Sequence, residues 1–188
     1  MLFEVPLPLL APSFYGLDFA EVPMLVGTFA LGPVAGIVMQ IVKILIKLIL
    51  KPTSTGFVGE FANVVMSCAL ILPAGFIYRF KKSKTGAVAG MAVGTVLMAV
   101  VGVVMNALVM IPFYSNFMPI ETIIKAGAAV NPAVSSVWTL AIFCVGPFNL
   151  VKGTLTSVIT AVIYKRISVL IHGASHGTSG SYGVKKAV

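Results

Sequence analysis

Apolar residues fall in long blocks, and polar residues mark where the blocks end. Residues 22–42 carry no charge, and the apolar pattern runs on to Leu50. One helix over 22–50 would be about 44 Å long at 1.5 Å per residue. That exceeds a hydrocarbon core of about 30 Å. Gly32-Pro33 interrupts the run, so the pattern predicts a short helix at 22–32 and a second at 33–50. Pro52-Thr-Ser-Thr-Gly56 reads as a turn. Further spans are predicted at 57–78, 85–113 and 147–171, with the basic loop Arg79–Lys84 after the first of them. Residues 114–146 are broken by Pro119, Gly127, Asn131-Pro132 and Gly146-Pro147, and read as an outer cap or re-entrant segment. Residues 172–188 read as a tail. The first 21 residues are Pro-rich and lack the basic start of a signal peptide. They read as the end of a helix whose beginning is missing. The predicted fold class is an all-α integral membrane protein, with residues 1–188 as one transmembrane domain.

Composition agrees with this pattern. Of 188 residues, 59% are hydrophobic and 10% charged, against about 25% charged in soluble domains. Water-soluble enzyme classes are excluded. Nucleic-acid binding is excluded too, because the net charge of +8 sits at segment ends rather than along a groove-facing stripe. No G-x-x-x-x-G-K-[ST] loop occurs, so ATP hydrolysis by that route is absent. Cys68 and Cys144 lie in apolar segments and read as packing residues. His172 and His176 sit in a polar stretch; no metal site or cofactor is expected. Cytoplasmic loops collect Lys and Arg. Placing loop 79–84 and the tail inside puts eight basic residues inside and five (Lys43, Lys47, Lys51, Lys125, Lys152) in outer halves. The tail 172–188 is then cytoplasmic and 114–146 outside.

Polar residues within spans are the candidates for function. Lys152 reads either as a ligand group or as a lysine snorkelling to headgroups. Asn149 shares its helical face. Glu60 is the only acid inside the long spans, with Asn63 three residues on; an ion pair or a ligand role would each account for it. Asn106 is a ligand contact or a helix-to-helix hydrogen bond, and Asn131 reads as turn chemistry. Lys43, Lys47 and Lys51 form a stripe expected to touch acidic headgroups. Gly86, Gly90, Gly94 and Gly102 form a small-residue stripe. Such a stripe serves packing within one bundle or docking to a membrane partner. Polar groups read as confined to the outer halves of the spans, which argues against a channel.

LDFAEVPMLVGTFALGPVAGIVMQIVKILI, GFVGEFAN, LPAGFIYRFKKSKTGA, MNALVMIPFY and PFNLVKGTLTSVITAVIYKR resemble the riboflavin-specific substrate-binding (S) component of energy-coupling factor (ECF) vitamin transporters. The resemblance covers residues 14–171. It implies a six-helix S-component-like bundle, here with its first helix largely missing, that binds one vitamin at its outer end. It implies no enzyme activity, a cell-membrane location, and partners that are a transmembrane coupling subunit and ABC-type ATPases. By resemblance, Asn149 and Lys152 match the last-helix Asn-x-x-Lys pair, Glu60 and Asn63 the Gly-Glu-x-x-Asn motif, and Asn106 the end of helix five. Tyr15 and Leu17 fall in the covering first loop, and Phe14 and Phe148 are further ring contacts. The alternatives are an S component for another vitamin, a solo carrier or channel for a polar solute, and a membrane assembly protein without a ligand.

Overall fold

A computed structural model describes residues 5–6, 16–17, 19–51, 53 and 56–176, with side chains described at 19–51, 53 and 56–164. Val5–Pro6 pairs antiparallel with Gly16–Leu17. Most of the start, where the sequence suggests the end of a missing helix, lies outside the described residues, as do 177–188 of the expected tail, whereas 172–176, expected to belong to that tail, continue the last helix.

Six helices follow. Helix α1 is Glu21–Leu31 and α2 is Pro33–Leu50. They part at Gly32, whose φ of 99° lies where only glycine is unstrained. Pro33 then starts α2, where its missing N–H costs nothing. Helix α3 is Val58–Phe80. Helix α4 comprises Lys84–Met105, a π turn at Asn106–Met110, and Ile111–Tyr114. Ser83 caps its start by accepting from the Gly86 N–H at 3.1 Å. A short α5, Ile120–Ala128, follows. Helix α6 comprises Val137–Leu140, a π turn at Ala141–Val145, and Gly146–His176. Among the described residues, four helices are long and apolar enough to cross a membrane.

One expectation, the start of the last span, is corrected. The last span begins at Val137, ten residues before 147, so only 115–136 separates α4 from α6. Ser136 and Thr139 form a capping box at that start. The Ser136 hydroxyl accepts from the Thr139 N–H, and the Thr139 hydroxyl oxygen accepts from the Ser136 N–H. Gly146-Pro147 does not break the helix. A proline ring collides with the carbonyl four residues back and offers no N–H; the wider π turn just before it removes the clash. Helix α4 passes Ile111-Pro112 in the same way.

Of the two readings of the glycine stripe, packing within one bundle is the one the structure shows. A Cβ on Gly90 would stand 2.9 Å from the Ala74 backbone, and one on Gly94 would strike the Leu70 carbonyl oxygen. Gly90 and Gly94 are therefore spent on the α3–α4 contact and Gly102 on the contact with Asn149 of α6, inside the bundle.

Two cores result. Met24, Leu25, Phe29, Leu70, Ile71, Tyr78, Met98 and Tyr164 form one. Its Phe29, Tyr78 and Tyr164 rings lie 4.9–5.8 Å apart between centroids, and the two tyrosine hydroxyls hydrogen-bond. Ile111, Ile123, Val134, Leu140, Cys144, Val145 and Phe148 form the other, under α5. The outward faces carry apolar side chains such as Val34, Val38, Ile41, Leu45 and Ile49, as lipid contact requires.

Candidate functional site

The start of α1, the end of α2, the start of α3, the end of α4 and the start of α6 meet at one end of the bundle. This end gathers most of the buried polar side chains. At its centre is Glu21, fully buried. It lies on the face of α1 that also carries Leu25 and Thr28, both buried, so helical periodicity turns it inward. Its Oε1 accepts from Lys152 Nζ at 3.2 Å and from Ser67 Oγ at 3.1 Å, and lies 3.5 Å from Lys43 Nζ. Lys43 Nζ also donates to Asn63 Oδ1 at 3.3 Å, and Gln40 Nε2 donates to the same oxygen at 3.2 Å. One network thus ties α1, α2, α3 and α6 together. A charge inside a membrane protein is retained where it is paired in this manner.

Beside it lies a second pair. Lys47 Nζ donates to Glu60 Oε1 at 2.5 Å, and Thr53 Oγ1 to Glu60 Oε2 at 3.0 Å. Thr53 Oγ1 in turn accepts from the Phe57 N–H. Phe57 itself holds a left-handed φ of 69°, a costly conformation for a non-glycine residue, fixed here by that bond.

The third group joins α4 to α6. Asn106 Nδ2 donates to the Gly102 carbonyl at 2.8 Å, and Asn149 Nδ2 to the Val145 carbonyl at 3.0 Å. A Cβ on Gly102 would stand 2.5 Å from Asn149 Nδ2, so Asn149 rests against the residue whose carbonyl binds Asn106. Asn106 opens one π turn, and Asn149 binds the carbonyl of the last residue of the other. An apolar cavity near the same end is lined by Ile111, Tyr114, Met118 and Ile123 and measures about 100 Å³.

Lys152, 6% exposed, turns into the bundle rather than out to headgroups. Its partner is Glu21; Glu60 binds Lys47. Lys43 and Lys47 also point inward, which corrects the headgroup stripe: on α2 they lie on the side that carries the buried Gln40 and faces α3. Asn131 Oδ1 accepts from the Ala133 N–H at 3.0 Å, a local turn. Phe148 is buried in the core beneath α5. Phe14 and Tyr15 lie outside the described residues, as does the Leu17 side chain. The reading that polar groups stop in one half is also corrected. On α6, Lys152, Thr156, Thr160 and Tyr164 are all buried and run from the Lys152 end to the Tyr78 end. Sequence reasoning missed Glu21, Gln40 and Ser67. Their signal was available: each sits on the apolar face of its helix, where a polar residue calls for a partner.

A family model for the substrate-specific component of ECF transporters matches residues 1–164. The chain belongs to the substrate-specific components of ECF transporters. This S component is similar to the riboflavin transporter RibU of Staphylococcus aureus (strain TCH60), 30% identical over 165 residues, with 88% of this chain and 80% of the relative covered. It is 27% identical to the riboflavin transporter FmnP of Bacillus subtilis (strain 168) over 170 residues, covering 89% and 83% of the two chains. It also matches a solved structure of the S component of a bacterial ECF transporter, with a TM-score of 0.67 and 28% identity, covering 89% of this chain and 86% of that one.

Proposed function

We propose that this S component binds riboflavin at the Lys152 end of the bundle, which faces the outside of the cell. It delivers the vitamin to a transmembrane coupling subunit driven by ABC-type ATPases. The observation that carries the reading is the gathering of buried polar side chains from α3, α4 and α6 at one end of an otherwise apolar bundle. The names of the two curated relatives supply the vitamin. Riboflavin has a planar, mostly apolar ring with one polar dione edge and a polyhydroxy chain. Few but convergent polar groups in an apolar setting suit such a ligand. Asn149 and Lys152 hydrogen-bond its oxygens, Asn106 stands across Gly102 from Asn149, and Glu60 and Asn63 complete the polar rim. Tyr15 and Leu17, in the segment before α1, cover it.

The test is purification from cells in detergent, followed by extraction of the bound small molecule and titration of the emptied protein with riboflavin by fluorescence quenching. Flavin absorbance in the purified protein and saturable quenching at one site per chain support the proposal. A different vitamin in the extract, with no flavin binding, overturns it.

A further inference from the structure

Glu21 offers two oxygens in the same buried network, and they differ. Oε1 receives Lys152, Ser67 and the nearby Lys43. Oε2 is buried and has no hydrogen-bond partner among the described residues. A fully buried carboxylate oxygen left without a donor is costly, and such an orphan marks a place where a donor belongs. Directly beside it stands Lys152, a donor. The pair thus presents an acceptor next to a cationic donor.

That pattern is the complement of an imide edge, in which an N–H donor lies between two carbonyl acceptors. The dione edge of a flavin ring carries such an imide. We propose that Glu21 is a specificity-determining residue of the binding site: its Oε2 accepts the imide N–H while Lys152 donates to an adjacent carbonyl. The proposal rests on the flavin reading above and adds to it the residue that reads the donor. Glu21 opens α1 directly after residues 16–20, so it stands where the covering segment joins the bundle. Ser67 and Lys43 hold Oε1 in place, which leaves the second oxygen for the ligand. A site built around a hydrogen-bonding group rejects analogues that lack its partner, because its own polar atom is then stranded.

The experiment crosses protein and ligand. Riboflavin and its N3-methylated analogue, which lacks the imide N–H, are titrated against the wild-type chain, Glu21→Ala and the shape-conserving Glu21→Gln. The wild type should prefer riboflavin by tenfold or more. Glu21→Ala should lose riboflavin affinity and show near-equal binding of the two ligands, and Glu21→Gln should reduce the preference severalfold. If both ligands weaken equally in the variants, so that the preference persists, Glu21 is a structural residue and the proposal is overturned. Should Glu21→Ala fail to fold, Glu21→Gln alone decides by the same criterion. If the wild-type chain binds neither flavin, the riboflavin reading fails first and this proposal falls with it. Riboflavin bound without any preference in the wild type refutes this proposal while leaving the riboflavin reading intact.

Discussion

Replacing Lys152, a residue 6% exposed, with alanine removes an ammonium 3.2 Å from a buried carboxylate. If Lys152 also donates to the ligand, its loss removes a hydrogen bond to a charged group, worth about 1.5–3 kcal/mol. At about 1.4 kcal/mol per decade, the riboflavin Kd should rise by a factor on the order of 10 to 100. Asn149→Ala should act in the same direction but less, because a neutral hydrogen bond contributes about 0.5–1.5 kcal/mol. That substitution also removes a side-chain donor from the carbonyl of Val145, the last residue of the π turn. Lys51→Ala is the matched control. Lys51 ends α2 and is exposed, so its removal should shift Kd less than twofold. The assay is fluorescence quenching of riboflavin on the detergent-purified variants, with thermal unfolding run alongside to show that each is folded. Equal affinities for all three folded variants would refute the assignment of the site to this end of α6.

Three further outcomes follow from the packing. The Thr156 and Thr160 hydroxyls are fully buried with no hydrogen-bond partner among the described residues, so Thr156→Val and Thr160→Val should each raise the unfolding temperature, at about 1 kcal/mol apiece; a fall in either would show that internal water satisfies the hydroxyls. Gly94→Ala drives a methyl group into the Leu70 carbonyl and should destabilise by about 1–3 kcal/mol. Val96→Ala, on the exposed face of the same helix, should change stability little. With Cys68 and Cys144 replaced by serine, a cysteine at position 83 should react with a membrane-impermeant reagent only after the cytoplasmic side is opened; labelling from outside intact cells would invert the proposed orientation.

Much of the fold was legible because membrane helices announce themselves as long apolar runs. Gly32-Pro33 is readable as a break, since a helix across it would be too long and the two residues suit a turn. Gly146-Pro147 carries the same kind of signal and misleads. There a π turn absorbs the proline, and the true start is written in the Ser136–Thr139 capping box ten residues earlier. At the site, Lys152, Asn149 and Glu60 stand out because polar residues are rare in spans. Their partners are less visible. Glu21 follows a polar stretch and reads as part of a loop, although its spacing to Leu25 and Thr28 places it on the buried face of α1. The inward turn of Lys43 and Lys47 depends on which side of α2 meets α3, and the lysine stripe alone does not reveal that.

Whether the Glu21–Lys152 pair exists to hold the helices together can be decided by removing both charges at once. Breaking a buried ion pair on one side strands a charge and costs about 3–5 kcal/mol, whereas replacing both partners with groups of similar shape is often neutral or stabilising. Lys152→Met alone leaves Glu21 with Lys43 and Ser67, so its cost should fall at the low end. Glu21→Gln alone leaves two ammoniums with one carboxylate fewer. The double substitution Glu21→Gln with Lys152→Met removes one charge of each sign and retains hydrogen-bonding groups for Lys43 and Ser67. Its unfolding temperature should equal or exceed that of the less stable single variant, because the two losses overlap, while riboflavin binding should be lost. Thermal unfolding and ligand titration on the same four proteins supply both answers. If the double variant loses the full sum of the two single destabilisations, the two residues act independently in holding the fold. If it also still binds riboflavin as the wild type does, the buried charges belong to the scaffold and not to the site.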